Sequence, residues 1–109
     1  MNWSSSYPTA RKTHICAMCS RIINPGERYL RGSGFGDGTV WSWSECVHCE
    51  AVRRLYDITD GDEYDADLFD CWADEARDVT ELRHAAGFRM KWRTKLGNLM
   101  LVPNREPSA

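Results

Sequence analysis

The sequence lacks the features by which most enzymes and membrane proteins can be recognised. It has no run of about 18 apolar residues, so we predict no membrane span. Residues 1–14 contain no apolar stretch typical of a signal peptide, which favours a cytoplasmic protein. Histidines number only three, and no glycine-rich segment ends in the Lys-Ser or Lys-Thr pair of a phosphate-binding loop. These absences predict a protein that is not an enzyme.

What is present fits one small globular domain. The chain has 109 residues, of which 42% are hydrophobic and 28% charged. The net charge of −2 conceals three blocks: +3 over residues 1–56, −10 over 57–81 and +5 over 82–109. Such asymmetry indicates charged faces that neutralise one another or meet different partners.

Two Cys-x-x-Cys motifs carry the strongest signal. Cys16 and Cys19 form the first motif, Cys46 and Cys49 form the second, and 26 residues separate them. Each motif turns two thiolates toward one point, and two motifs complete the tetrahedral sulfur shell that zinc prefers. A disulfide would need an oxidising compartment, and a redox protein rarely carries two such motifs at this spacing. We therefore predict a structural zinc ion bound by these four cysteines.

Three further residues are considered as ligands and set aside. His14 precedes the first motif and His48 lies inside the second, but four thiolates already fill a tetrahedral site. Each histidine is therefore expected either to contact a metal-binding cysteine without touching the metal or to face solvent. Cys71 is expected to be an inert, half-buried core residue, because its acidic neighbours disfavour a thiolate.

The residues between the motifs predict a β-hairpin, and the second motif predicts the start of a helix. A short strand at Ile22 and Ile23 precedes an Asn-Pro-Gly turn, and a second strand follows over residues 27–31. Residues 32–38 contain four glycines and predict a flexible loop or hairpin tip, with residues 39–44 as the return strand. Ser44 is expected to cap the helix.

A knuckle, a hairpin and a helix that begins with the second motif resemble the treble-clef zinc finger over residues 14–57. This resemblance implies a zinc-stapled fold and leaves the function open, because treble clefs serve many tasks. The wording Cys-x-x-Cys, Ile-x-x-Gly-Glu-x-Tyr, Cys-x-x-Cys is also similar to that of small uncharacterised bacteriophage zinc proteins. That similarity implies an accessory factor acting on a host or phage protein in the host cytoplasm.

The C-terminal half predicts an acidic helix followed by a basic hairpin. One amphipathic helix is expected over residues 65–86, with Gly87 as its stop. Its apolar stripe comprises Leu68, Trp72, Ala76, Val79, Leu82 and Ala86. Residues 88–93 alternate apolar and basic side chains and, with residues 99–102, predict two strands. Residues 58–103 are expected to pack on the zinc module, and residues 1–13 and 104–109 to be loose tails.

The predicted fold class is thus α+β, and two binding functions remain open. In the favoured one, a protein partner binds an acidic ridge made of Asp67, Asp70, Asp74 and Asp78. In the alternative, nucleic acid binds basic residues of the finger and the hairpin, namely Arg28, Arg31, Arg89, Lys91 and Arg93. A sequence pI near 5.9 favours the protein partner. A nuclease is less favoured, because the sequence has no His-Asn-His arrangement.

Overall fold

The computed structural model describes residues 2–61 and 63–103 and confirms an α+β chain with antiparallel sheets. Strands come first along this part of the chain and helices follow. The elements are β1 (Asn2–Ser6), β2 (His14–Ile15), β3 (Ile22–Ile23), β4 (Tyr29–Gly36), β5 (Thr39–Cys46), α1 (Val47–Tyr56), α2 (Ala66–Glu75) and α3 (Val79–Arg89). Strands β2 and β3 pair with each other, and β1, β4 and β5 form a three-stranded sheet in that order.

The glycines of β4 make room for a tryptophan. Gly32 lies opposite Trp43 of β5, and a Cβ at Gly32 would lie 2.2 Å from the Trp43 ring. The chain reverses at Asp37 and Gly38, whose φ angles of 52° and 76° are those of a type I′ turn. The hairpin tip is therefore only two residues long. A flexible loop was the wrong prediction for residues 32–36, which are regular strand.

Strand β1 corrects the prediction of a loose tail over residues 1–13. Ser4 lies opposite Ser33, and their hydroxyl groups hydrogen-bond at 2.8 Å. The serine-rich segment gives no strand signal by itself, but the free edge of β4 supplies backbone partners for it. The second tail, predicted for residues 104–109, lies outside the described residues.

The single helix predicted over residues 65–86 is in fact two helices, α2 and α3. Asp78 begins α3 as its N-cap, and its carboxylate accepts the Glu81 amide at 2.8 Å. As an N-cap, Asp78 has extended rather than helical dihedral angles, so the predicted continuous helix is interrupted there. Helix α3 then continues through Gly87, the predicted stop. The break changes which side of α3 faces the core, so three residues of the predicted stripe, Val79, Leu82 and Ala86, are exposed.

The basic hairpin is also a wrong prediction. Phe88 and Arg89 belong to α3, and the Phe88 ring stacks on Phe69 of α2 with centroids 5.5 Å apart. Burial of Phe88 in this helical pair outweighs the alternation that suggested a strand. Of the predicted hairpin, the described residues contain one isolated β-bridge, between Arg93 and Leu99.

Aromatic rings join the helical pair to the rest of the core. Tyr56 at the end of α1 packs on Trp72 of α2 with centroids 5.2 Å apart. The Tyr56 hydroxyl also hydrogen-bonds Nδ1 of His84 in α3 at 2.6 Å. The cysteine motifs and both C-terminal helices therefore contribute to one hydrophobic core.

Candidate metal centre

The four predicted cysteines are brought together and buried. One Sγ atom from each of Cys16, Cys19, Cys46 and Cys49 lies within 4.8 Å of the others, and no side chain is more than 7% exposed. The Cys19 and Cys46 sulfur atoms are 3.9 Å apart. A regular tetrahedron with zinc–sulfur bonds of about 2.3 Å has edges of about 3.8 Å. The cluster therefore has the donor set and the size of a metal-ion site.

The first motif is folded as a tight knuckle between β2 and β3. The Ser20 amide donates to the Cys16 carbonyl at 2.9 Å, and the Cys16 amide donates to the Arg21 carbonyl at 2.9 Å. Closing this turn places Ser20 at φ 67°, a left-handed conformation. The knuckle leaves the Met18 amide free to donate to the Cys16 sulfur at 3.4 Å. Backbone and sulfur are thus positioned by the same turn.

The second motif begins α1, but its cap differs from the prediction. Cys46, rather than Ser44, is the N-cap residue, and its sulfur accepts the Cys49 amide at 3.5 Å. Ser44 lies in β5, where its carbonyl accepts the Ala17 amide at 2.8 Å and ties β5 to the knuckle. A sulfur at the N-cap gains both an amide donor and the positive end of the helix dipole. Cys46, one of the predicted metal ligands, therefore caps the helix in place of Ser44.

The electrostatics of the cluster favour a bound cation. Burial, and then the neighbouring thiols, raise the pKa of the Cys49 thiol. Four negative thiolates this close and this dry repel one another unless a cation lies among them. Cysteine sulfur is a soft donor that selects zinc and a few other soft metals. The donor set thus fits a divalent, thiolate-binding metal.

Two buried side chains, Arg21 and His48, contain polar atoms that have no hydrogen-bond partner among the described residues. They are the Nε and Nη2 atoms of Arg21 and the Nδ1 atom of His48. His48 was expected to support a ligand or face solvent; it is buried, and its Nε2 donates to the Met100 carbonyl at 2.6 Å. The Arg21 donors are costly to bury without a partner, whereas a neutral His48 that donates from Nε2 has only an acceptor at Nδ1.

Trp92 covers the cluster and was missed by sequence reasoning. Its Nε1 donates to the Cys49 sulfur at 3.4 Å, and its ring stacks on His48 with centroids 5.4 Å apart. Only 2% of Trp92 is exposed. The one sequence signal is Gly87, a glycine inside a helix, where a Cβ would lie 2.4 Å from the Trp92 ring. Glycine destabilises a helix interior, but at position 87 it leaves room for the Trp92 ring.

The remaining candidate ligands lie apart from the cluster. His14 contacts Tyr29, whose hydroxyl group is 3.3 Å from its Nε2 atom. Cys71 is exposed on α2, which corrects the prediction of a half-buried core residue. It shares the helix with buried Phe69 and Trp72 but points away from them, since only part of each turn faces the core.

The acidic ridge is only partly as predicted. Asp67, Asp70 and Asp74 are exposed on α2, but Asp78 belongs to the next helix as its cap. Arg89 pairs with Asp70 at 2.5 Å and with Asp74 at 2.6 Å. Two of the predicted partner-binding residues therefore already share a cation with α3.

Three of the five predicted basic residues have hydrogen-bond or ion-pair partners within the chain. Arg89 is paired as above, Arg28 donates to the Tyr7 carbonyl at 3.2 Å, and Arg93 donates to the Gly97 carbonyl at 3.1 Å. Lys91 is exposed in the turn after α3. Arg31 lines a groove of about 450 Å³ whose other lining residues include Lys12, His14, Tyr29, Ser42 and Ser44. That groove carries cations and hydroxyl groups, and none of its described lining residues is acidic.

Comparison with known proteins found no matching family model, no matching curated protein and no matching solved structure. No helix in the described ranges is long and apolar enough to cross a membrane.

Proposed function

We propose that this chain is a zinc-binding, non-catalytic interaction module. The observation that carries the proposal is the buried cluster of four cysteine sulfur atoms, all within 4.8 Å of one another. Four thiolates complete a tetrahedral shell and leave no open position for a substrate or a reactive water, which is the pattern of structural zinc sites. Cys16, Cys19, Cys46 and Cys49 would hold the ion, which would supply folding free energy.

A treble-clef arrangement is part of this proposal. It is supported by the chain order of the elements, with a knuckle between β2 and β3, a β4–β5 hairpin and α1. The second pair of ligands lies at the N-terminus of α1, where the two sulfur atoms of a Cys-x-x-Cys motif face the same way. The accessory role in a phage-infected cytoplasm rests on the motif resemblance alone.

Elemental analysis of the purified chain tests the zinc assignment. We expect about one zinc per chain, and loss of that zinc in Cys49→Ser. Cys71→Ser is the matched control, since the same change at an exposed cysteine outside the cluster leaves the metal in place. A wild-type chain without stoichiometric metal, or a Cys71→Ser variant that loses it, contradicts the proposal.

For the interaction surface we favour the exposed carboxylates of α2 and a cationic partner protein. Asp67, Asp70 and Asp74 follow spacings of three and four, so they share one side of the helix. Arg89 neutralises one of these three charges, which leaves a net negative surface. Asp67→Asn with Asp74→Asn is expected to weaken capture of the partner and to leave the zinc content unchanged.

A second candidate function, nucleic-acid binding, is favoured by the groove that contains Lys12 and Arg31. Phosphate oxygens are commonly bound by arginine, lysine and hydroxyl side chains, which this groove supplies without a carboxylate. Titration with fluorescent single-stranded and duplex oligonucleotides at about 150 mM salt decides between the two functions. Binding that is lost in Lys12→Gln with Arg31→Gln, but kept in the charge-matched Arg83→Gln with Lys95→Gln, would replace the protein-partner proposal. If no oligonucleotide binds at micromolar protein concentration, the protein-partner proposal stands.

A further inference from the structure

Strand β5 is an edge of the three-stranded sheet, whose strand order is β1, β4, β5. An edge strand presents unpaired backbone groups to other chains, and proteins usually protect such edges with charged residues, proline or bulges. Residues 39–44 of β5 contain neither a charged residue nor a proline, and their register with β4 runs without a bulge. This edge therefore lacks the usual protection against pairing with another extended chain.

The pairing with β4 decides which backbone groups of β5 face outward. In a hairpin with a two-residue turn, the residues that flank the turn exchange both hydrogen bonds, and such pairs alternate with pairs that exchange none. Counting from the turn, the amide and carbonyl groups of Val40, Ser42 and Ser44 point away from β4. The Ser44 carbonyl agrees with this count, because it accepts the Ala17 amide at 2.8 Å.

Val40 and Ser42 leave the outer edge of β5 open. Val40 is 77% exposed, and Ser42 is exposed as well. Among the described residues, none hydrogen-bonds to the outward amide or carbonyl group of either residue. Only at Ser44 does the knuckle cover the edge, through Ala17. The open edge thus offers two donors and two acceptors to a short extended segment.

A cationic groove borders this open edge on one face of the sheet. Ser42 and Ser44 line the groove together with Lys12 and Arg31, and its described lining residues include no carboxylate. Arg31 lies opposite Ser44 in the ladder, so their side chains share a face, and the small serines leave the arginine room to extend across β5. In the described part of the chain, neither cation has an ion-pair partner. The positive charge of the groove is therefore available to carboxylates.

We infer that the outer edge of β5 at Val40 and Ser42 binds an extended, acidic segment of a partner protein, which adds to the sheet as an antiparallel strand. Side chains of such a strand alternate between the two faces of the sheet. Those opposite Val40 and Ser42 lie on the face of Lys12 and Arg31, so glutamate or aspartate is expected at every second position. Main-chain hydrogen bonds supply affinity, and the cations supply the preference for acidic residues.

This surface is separate from the others proposed for the chain. Neither the four cysteines nor the α2 carboxylates take part in it, so it adds a second contact to the proposed interaction module. Its failure and theirs are distinguished by zinc analysis and by the α2 variants described above.

Nuclear magnetic resonance on the full chain tests the pairing. The probe is a heptapeptide that alternates valine and glutamate. Its binding should shift the amide signals of Val40 and Ser42 and slow their hydrogen exchange, because both amides gain a hydrogen-bond acceptor. A ligand that fills only the groove does not protect these amides.

Two N-methylated forms of the peptide separate strand addition from charge attraction. In an antiparallel strand the residues opposite Val40 and Ser42 direct their amides toward β5, and these residues are the glutamates. Methylation of the glutamate amides removes these hydrogen bonds and should weaken binding about tenfold or more. Methylation of the valine amides, which face away from β5, should leave the affinity nearly unchanged.

Charge is tested on the same backbone. A peptide with lysine in place of glutamate should bind about tenfold more weakly or less still, because lysine meets the cations of the groove. Lys12→Gln with Arg31→Gln should remove this preference for glutamate. Arg83→Gln with Lys95→Gln, which changes the net charge equally, should keep it.

Ser42→Pro is the matching change in the protein. The Ser42 amide faces outward, so proline removes a donor of the edge without removing a hydrogen bond to β4. Ser5→Pro is its control on β1, the other edge of the sheet, since Ser5 pairs with Gly32, whose own amide and carbonyl face β5. Peptide binding should be lost in the first variant and kept in the second. If either variant does not fold, the peptide series on the wild-type chain decides.

Several results would overturn the inference. They include no response to millimolar peptide, equal binding of the two methylated forms, and equal binding of the glutamate and lysine peptides. Protection of Val40 and Ser42 that rises with protein concentration in the absence of peptide would assign the edge to a second copy of the chain instead. A response of Lys12 and Arg31 to a single-stranded oligonucleotide, with none to the peptide, would assign the groove to nucleic acid.

Discussion

Residues 14–57 and residues 58–103 are stabilised by different means. The first region surrounds four buried sulfur atoms, with backbone amides and the Trp92 indole donating to them. The second consists of two short helices that pack through Phe69 and Phe88 and share the Arg89 ion pairs at their surface. A metal ion sets positions within tenths of an ångström, whereas apolar packing tolerates several arrangements of similar composition. The first region should therefore depend on one interaction and the second on many small ones.

Loss of a metal ligand should have the largest effect on this comparison. Structural zinc sites supply apparent binding energies of about 10–16 kcal/mol, more than the whole stability of a typical small domain. Cys49→Ser, or removal of the metal by a chelator, is expected to abolish the cooperative thermal transition of the chain. Circular dichroism checks this, and a chelated chain that still melts cooperatively at the wild-type temperature would contradict it.

Truncation of Trp92 should come next, because this residue links the two regions. It lies after α3 in the chain, yet its ring is buried beside Cys49 and His48. Trp92→Ala is expected to lower the free energy of unfolding by about 3–5 kcal/mol through lost packing. Trp92→Phe keeps much of the ring but loses the N–H···S bond, so a smaller loss is expected. Urea denaturation at fixed free zinc measures both, and an equal loss in the two variants would contradict this account, because the ring that phenylalanine keeps would then contribute nothing.

Gly87→Ala should have a smaller effect. The added Cβ would lie 2.4 Å from the Trp92 ring, so the ring or the helix must move. Overpacking of this kind costs about 1–3 kcal/mol and exceeds the gain in helix propensity. In a Trp92→Ala background the same change should become neutral or stabilising. A cost that persists in that background would mean that the clash is not with Trp92.

The two regions also differ in how far the sequence predicts them. The clustering of the cysteines could be predicted, because two Cys-x-x-Cys motifs each bring a pair of thiols together within a turn. The break at Asp78 could not be predicted, because the apolar spacing continues across it and only the cap geometry shows that there are two helices. Trp92 was assigned to a strand from local alternation, and its place over Cys49 depends on contacts between residues 43 positions apart. Strand β1 depends likewise on the edge of β4 rather than on its own residues.

Substitution of His84 is expected to have the smallest of these effects on stability. Burial, slightly opposed by Asp78, lowers the pKa of His84 below its ordinary 6.5. Below that pH the unfolded chain takes up this proton more readily than the folded chain, so stability falls as the pH falls. His84→Gln should show a shallower loss of stability between about pH 7.5 and 5.5 than wild type. Protonation of the thiolates is common to both chains, so identical slopes would contradict the assignment.

X-ray absorption at the zinc edge tests the central claim most directly, because it reports the ligands around the ion. The account predicts a single shell of four sulfur atoms at about 2.3 Å, supplied by Cys16, Cys19, Cys46 and Cys49. A shell that includes nitrogen at about 2.0–2.1 Å would place a histidine, such as His14 or His48, among the ligands and contradict the four-cysteine assignment.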